Sequence, residues 1–386
     1  MGIRRIIWTI CVCVVLTSVE SALGPALAMM GIPPPGGGGG GNQTDYYRAV
    51  RRGTLGGLYG AFQTLIVDDS FNFIDSLLGH AHSDSGDAGT TAAPLGYAAS
   101  RTAMIDDALA AAEPASRFDG WRTWSSATYT HDHIDGGAAN PGIKSTAWNG
   151  VTAIDRVNGD WMIGLAGALG RYGVMQERTG DSAHIDAWRA GGYVSYRPGN
   201  WTFTAAAAQS LESIGTSRLG TNAAFDARST SAGLEAAYKI GIGSATLQPM
   251  AGAIYTRLST DGFVESGTTG FEVNANSSDA QSLRSFLGAR LYSRFALGDM
   301  ILIPELRGRV FEDFLSMQRR ISGTFVGDPT QSFVATGPEA PRTAVRLGGA
   351  LEGRFGPAWL AAVSYDAEAR GQTVSHIVSG KFRALW

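Results

Sequence analysis

The stretch Val374-Ser-His-Ile-Val-Ser-Gly-Lys-Phe-Arg-Ala-Leu-Trp386 decides the fold. Read backwards in steps of two, it gives Trp386, Ala384, Phe382, Gly380 and Val378, all apolar or small. The alternate positions carry Arg383, Lys381 and Ser379, interrupted by Leu385 and Ile377. A period of two means a strand with two unlike sides. A soluble sheet rarely ends on such a strand, because open edges invite pairing. A membrane barrel needs one: its last strand must pair with its first, since no edge can face lipid.

Upstream, the same texture runs back to about Gly120. Strand-like stretches are expected near 121–133, 146–156, 160–172, 184–197, 201–212, 226–240, 245–258, 280–296, 300–315, 342–355, 358–368 and 373–386. Short turns at Asn158-Gly159-Asp160, Pro198-Gly199-Asn200, Gly241-Ile242-Gly243, Gly298-Asp299 and Gly356-Pro357 join some of them. Longer polar connections lie near 134–145, 173–183, 213–224, 259–279 and 317–341, with a shorter one at 369–372. The two kinds alternate, as periplasmic turns and extracellular loops do in a membrane barrel. An even count of strands brings both ends to one side. The fold class read from this pattern is all-β: a twelve-stranded antiparallel transmembrane β-barrel preceded by a short, mostly helical N-terminal region.

Alternation is clearest in the second half. Arg284, Gly288, Arg290 and Arg294 oppose Leu283, Leu287, Ala289, Leu291 and Phe295, with Phe286 and Tyr292 as exceptions on the charged side. Glu305, Arg307 and Arg309 oppose Leu302, Pro304, Leu306, Gly308 and Val310. Arg346, Glu352 and Arg354 oppose Val345, Leu347, Leu351 and Phe355. The charged residues of these strands are expected to line a polar lumen. The first two strands alternate poorly. Eight Trp (121, 124, 148, 161, 188, 201, 359 and 386) fall within or at the ends of strands, where interfacial aromatic girdles sit.

Composition agrees. Charged residues are 17% of the chain, below the roughly 25% of soluble domains. Glycine numbers 52, about twice the usual share. Mean hydropathy is near zero and no long apolar run follows the N-terminus, which excludes a helical membrane protein. A net charge of −3 gives no case for nucleic acid.

The N-terminus reads as a secretory signal peptide over 1–28: Arg4 and Arg5, an apolar core from Ile6 to Val15, and Ala26-Leu27-Ala28, with cleavage after Ala28. Both cysteines, Cys11 and Cys13, fall inside it, so the mature chain has no thiol. Residues 29–44, with Pro33 to Pro35 and Gly36 to Gly41, form a flexible linker. Residues 45–115 read as a short helical passenger or plug region. Phe62, Ile66, Phe71, Phe73, Ile74 and Leu77 follow helical spacing, 80–96 is polar, and Ala103 to Ala112 is an Ala-rich helix stopped by Pro114. Residues 116–386 form the barrel domain.

The terminal hairpin Val363 to Trp386 resembles the last hairpin of autotransporter translocator domains. Arg189-Ala-Gly-Gly-Tyr-Val-Ser-Tyr-Arg-Pro-Gly-Asn-Trp-Thr-Phe203 resembles a middle hairpin of the same family, and Pro304-Glu-Leu-Arg-Gly-Arg-Val-Phe-Glu-Asp-Phe314 its ninth strand. The resemblance covers roughly 115–386. It implies type V secretion, an outer-membrane barrel threaded by a helix, and an N-terminal passenger carried outward. It also implies an assembly signal read by the barrel-assembly machinery at Val378, Gly380, Phe382, Ala384 and Trp386, help from periplasmic chaperones, and a monomer in the lipid bilayer. The passenger region is unusually short.

A lumen of about twelve strands holds little more than one helix, ~10–12 Å across with side chains. Thr102 to Ala112 is the expected plug, with Asp106 and Asp107 meeting Arg284, Arg290 or Arg309. The alternative pairs those arginines with Glu305, Glu352 and Asp313 in wall ladders. His80, His82 and Asp84, or His131, Asp132 and His133, are weak metal candidates, because no third or fourth ligand can be named. No Gly-x-Ser-x-Gly, P-loop, His-Glu-x-x-His or Rossmann pattern occurs, and no motif supports self-cleavage of the linker. No cofactor and no enzymatic activity are expected. The function expected is an autotransporter-type barrel that holds or exports its own N-terminal segment. The alternative is a passenger-less structural, adhesin or pore-forming barrel, acting through loops 259–279 and 317–341.

Overall fold

From Gly120 onward, successive side chains alternate between the inside and outside of a closed sheet. The computed structural model describes residues 57–83, 93–94 and 120–385, apart from 135–141, 178, 271, 299, 316–318, 338–340, 356–358 and 372. The signal peptide with Ala28, the linker 29–44, the stretch Thr102 to Ala112 and Trp386 lie outside the described residues.

Helix α1 is Gly57–Ser83. The barrel strands are β1 Gly120–Ile134, β2 Ile143–Asn158, β3 Trp161–Gln176, β4 Ser182–Tyr196, β5 Trp201–Arg218, β6 Thr221–Tyr238 and β7 Ala245–Thr260. Between the next barrel strands lie short ones, so the chain continues as β8 Phe263–Val264, β9 Val273–Ala275, β10 Ser278–Ser293, β11 Met300–Asp313, β12 Arg320–Phe325 and β13 Ser332–Thr336. It finishes with β14 Thr343–Phe355, β15 Trp359–Arg370 and β16 Thr373–Leu385. Short segments Ile240–Ile242 and Phe295–Leu297 prolong β6 and β10 beyond a break.

Twelve antiparallel strands close the barrel: β1 to β7, β10, β11 and β14 to β16. β16 pairs with β1 from Thr373 against Ile134 to Leu385 against Arg122. All twelve expected strands are present, and several run further than their composition suggests. The expected long connection at 213–224 is instead the tip of a hairpin. β5 and β6 continue through it to a two-residue turn, Leu219 (φ 49°) and Gly220 (φ 83°). Two positive φ values make the turn whose twist matches the flanking strands. The loops 259–279 and 317–341 are also more ordered than polar loops. They contribute β8, β9, β12 and β13, which pair as a separate four-stranded sheet at the loop end of the barrel.

The outer face carries an apolar band of the kind expected to face lipid. On β3 the outward residues run Trp161, Ile163, Leu165, Gly167, Leu169 and Arg171, and the large apolar ones are half or more exposed. At ~3.3 Å per residue and a ~40° tilt, the span from Trp161 to Arg171 is about 25 Å tall, the height of a barrel's apolar band. Trp121, Trp161, Trp201 and Trp359 ring the turn end, while Trp148 and Trp188 lie towards the loop end. Trp124 departs from the girdle pattern, because its side of β1 faces inward. It is 2% exposed and packs on α1.

α1 occupies the lumen. Leu58, Phe62, Ile66, Ile74, Leu77 and Leu78 are fully buried, at i, i+4 spacing that keeps them on one side. They press against β5, β6 and β7, whose inner faces carry Ala206, Ala237, Met250, Ile254 and Leu258. Gly233 is required there: a Cβ would lie 2.6 Å from Ile74 Cγ2. The inner face is therefore mixed, largely apolar along this side of the helix and polar along the rest. That mixture explains the poor alternation of β2 in sequence. Its inward set runs Ser145, Ala147, Val151, Ala153, Asp155 and Val157, although its burial alternates strictly over most of its length. Among the described residues no helix is long and apolar enough to cross a membrane.

Candidate functional site

Opposite the alanine wall, α1 turns a polar side to β10, β11, β14 and β15. Asp68, Asn72, Asp75, Ser76 and Gly79 follow i, i+4, i+7, i+8, i+11, one stripe of a helix. Asp75 sits between Arg309 and Arg346, with Arg346 Nη1 donating to Oδ2 at 3.1 Å. The same guanidinium donates to Asn72 Oδ1 at 3.0 Å and to Glu368 Oε2 at 2.9 Å. Arg284 Nη2 donates to Asp68 Oδ1 at 2.5 Å, and its guanidinium lies over the Phe71 ring at 4.4 Å. Asp69, off this stripe, reaches β2, β3 and β4. It accepts from Tyr172 Oη at 2.6 Å and Asn149 Nδ2 at 2.7 Å and pairs with Arg189. Charged groups out of water need such partners on every side.

The described helix in the lumen is Gly57–Ser83, and its Asp68 and Asp75 make contacts of the kind expected for Asp106 and Asp107. The expected plug, Thr102 to Ala112, lies outside the described residues. The wall ladders exist beside them. Arg290 pairs with Glu305 at 3.4 Å, Arg354 with Glu352 at 3.0 Å, and Arg307 with Asp366 at 2.5 Å. Arg284 also lies 4.0 Å from Asp313, and Arg294 is 3% exposed. Wall ladders and contacts to α1 coexist because the barrel supplies more arginines than the helix has carboxylates.

The two ends of α1 are held differently. At the loop end, Tyr59 Oη donates to Glu265, which also accepts from Arg218 Nη2 at 2.5 Å. The Tyr59 ring stands 5.4 Å from Phe263 of β8. Gly60 meets Gly337 just after β13, so closely that a Cβ on Gly60 would fall 2.1 Å from Gly337 Cα. The four-stranded sheet thus closes over the helix N-terminus. At the turn end, His80 stacks on Trp124 (4.6 Å, 23°). Lys381 Nζ lies 2.7 Å from His80 Nδ1, and Asp155 Oδ2 lies 2.9 Å from Nε2. An ammonium only donates, so Nδ1 accepts and Nε2–H donates to Asp155. Arg122 Nε and Tyr193 Oη also donate to Asp155, at 2.6 and 2.7 Å.

The described residues lend the metal candidates no support. His80 is a lumenal hydrogen-bonding group, while the His82 side chain and Asp84 lie outside the described residues. Asp132 faces Ser145 Oγ at 2.9 Å inside the barrel, whereas His131 and His133, one residue to either side, point outward. No group of three or more His, Cys, Asp or Glu among the described residues is placed to hold a metal.

In the terminal strand, Val378 and Phe382 face outward, 45% and 41% exposed, with the Phe382 ring 5.3 Å from Trp359. Gly380 lies on the same face, and Ala384 is half-buried. Sequence reasoning missed the lumenal residues Asp68, Asp69, Asp75, Asp155, Arg189 and His80. The available signal was three carboxylates, Asp68, Asp69 and Asp75, set among the large apolar residues of a helical run.

The autotransporter beta-domain family model matches residues 123–366. The translocator domain of the autotransporter NalP from Neisseria meningitidis is similar over 75% of this chain and 97% of its own, with TM-score 0.56 and 15% identity. The beta domain of the Bordetella autotransporter BrkA is similar over 69% of this chain and 100% of its own, with TM-score 0.53 and 15% identity. The transport unit of the autotransporter AIDA-I from Escherichia coli is similar over 68% of this chain and 89% of its own, with TM-score 0.50 and 10% identity. At these identities the solved structures speak to the fold alone. No curated protein sequence matches. A family model covering more than half of the sequence, on twelve strands closed around a threaded helix, shows that the chain belongs to the autotransporter beta-domain family of outer-membrane barrels.

Proposed function

We propose that this barrel inserts in the outer membrane, carries the chain upstream of Gly57 to the loop side, and retains α1 as its plug. The observation that carries the reading is the direction of α1. Its first turn lies with Glu265 and Gly337 at the loop end, and its last lies with Asp155 and Lys381 at the turn end. Chain preceding Gly57 therefore starts from the loop side, while β1 begins at the turn side with Trp121 and Arg122. A route through the lumen connects the two. The ion pairs of Asp68, Asp69 and Asp75 hold the helix once passage ends, and the loop sheet closes above it. This is a transport role without catalysis. A plugged, capped lumen also argues for transport over the open-pore alternative.

The test is labelling of intact cells with a membrane-impermeant maleimide. Single cysteines replace Gly38 in the linker, Asp328 in the loop between β12 and β13, or Gly159 in a turn between strands. The reading expects Gly38→Cys and Asp328→Cys to label and Gly159→Cys to stay protected until the membrane is opened. Protection of Gly38→Cys beside a labelled Asp328→Cys would overturn export and leave a surface scaffold displaying the loop sheet.

A further inference from the structure

We propose that the last turn of α1 is a latch on the seam of the barrel. Seated, it holds β16 to β1; withdrawn, it lets the turn-end half of that strand pair part. The latch needs only the seated helix and holds whether or not the upstream chain is exported. β1 and β16 come from opposite ends of the barrel sequence, so no hairpin connection keeps them together. They are joined by backbone hydrogen bonds and by what their inward side chains meet. Near the turn end, Lys381 lies opposite Ser126, and Arg383 opposite Trp124. The Lys381 ammonium stands 5.1 Å from the centre of the Trp124 ring, across the seam.

His80 touches both sides of that seam. Its ring stacks on Trp124 of β1, and its Nδ1 accepts from Lys381 of β16. Its Nε2 reaches Asp155 of β2, which Arg122 of β1 and Tyr193 of β4 also hold. Trp124 Nε1 closes the circuit by donating to Tyr193 Oη at 2.9 Å. One imidazole from the helix therefore ties β16 to β1, β2 and β4. His80, Trp124 and Asp155 are all buried, where a hydrogen bond left unmade is costly. Without the helix, Lys381 loses an acceptor, Asp155 a donor and Trp124 its stacked neighbour. Further towards the loop end, Thr128 and Ser379 join the two strands directly, their hydroxyls 3.0 Å apart, so that half keeps a link of its own. β5 and β6 provide the contrast. A two-residue turn connects them, and they meet α1 largely through apolar groups.

The experiment is amide hydrogen exchange on the full chain in detergent micelles, read peptide by peptide. His80→Phe keeps a ring on Trp124 and removes both ring nitrogens. Exchange within 122–126 and 381–385 is expected to speed up about tenfold or more, as loss of hydrogen bonds to charged groups requires, while β5 and β6 stay within about threefold. Lys381→Met removes the β16 side of the latch and is expected to loosen the same residues. The double variant should be no looser than the looser single one, because both changes break one contact. Unchanged seam exchange in His80→Phe, equal acceleration in β5 and β6, or additive effects in the double variant each overturn the latch. If His80→Phe fails to fold, a disulfide across the seam, from Thr128→Cys with Ser379→Cys, should restore heat-dependent migration. Failure of that disulfide to restore it overturns the latch as well.

Discussion

Asp75 on α1 and Arg346 on β14 lie 3.1 Å apart inside the barrel, joined by Arg309 on the other carboxylate oxygen. This contact fastens the helix to the arginine-bearing wall below the point where Phe71 packs on Phe311. Removing one partner of a buried pair leaves charge without compensation, at a cost of ~3–5 kcal/mol. Asp75→Asn should therefore destabilise the folded barrel by about 3 kcal/mol, near the lower limit because Glu235 and Glu368 remain near the two arginines. Asp68→Asn should cost about 1 kcal/mol or less, because the Asp68 side chain is 36% exposed and water screens its pairs. The midpoint of heat-dependent gel migration, read for both variants, checks the order. Equal midpoints would contradict it.

Gly60 and Gly337 bring two backbones together where no Cβ fits. Gly60→Ala is expected to lift the loop sheet from the helix while the barrel stays closed, since no barrel strand takes part in that contact. Limited trypsin digestion reads the result. Cleavage at the exposed Arg320 should speed up several-fold, with unchanged heat-dependent migration. An unchanged digestion rate would mean that the sheet is held by other contacts.

Leu165 is 68% exposed midway between Trp161 and Arg171, on the face assigned to lipid. Leu165→Arg should cost ~2–4 kcal/mol in guanidinium titrations of protein folded into lipid vesicles, while Leu219→Arg at a loop-end turn should cost ~0–1. A penalty that is the same at both positions would remove the membrane from the outer face.

Deletion of 382–386 removes Phe382, which faces outward beside Trp359, together with the last residues pairing β16 to β1. The truncated chain should lose the faster-migrating unboiled form and leave the membrane fraction. Its survival there, with heat-dependent migration intact, would rule out the terminal strand as the assembly signal.

The strands could be read in advance because a membrane barrel writes its fold locally. Each strand needs an apolar outside and a turn at its end, and β3, β10, β11 and β14 show both in their residues. The hairpin tip at Leu219-Gly220 was less legible. Beyond the bilayer both faces of β5 and β6 meet water or loop, so alternation stops marking the strand. The helical stretch containing Phe62, Ile66 and Ile74 was visible as a helix, but its place in the lumen was not. Its amphipathic signal is weak because every side of it is buried.

The sequence by itself determined a closed twelve-stranded barrel whose last strand seals its first, since period-two patterning, alternating connections and a lipid-facing band are properties of neighbouring residues. Only the tertiary structure decided which segment fills the lumen, which way it runs, and which arginines it engages. Asp75 and Arg346 stand 271 residues apart, and no local pattern records which of many inward charges a helix will meet. That choice follows from where the alanine wall lets α1 sit, and from the distances at which opposite charges exclude water.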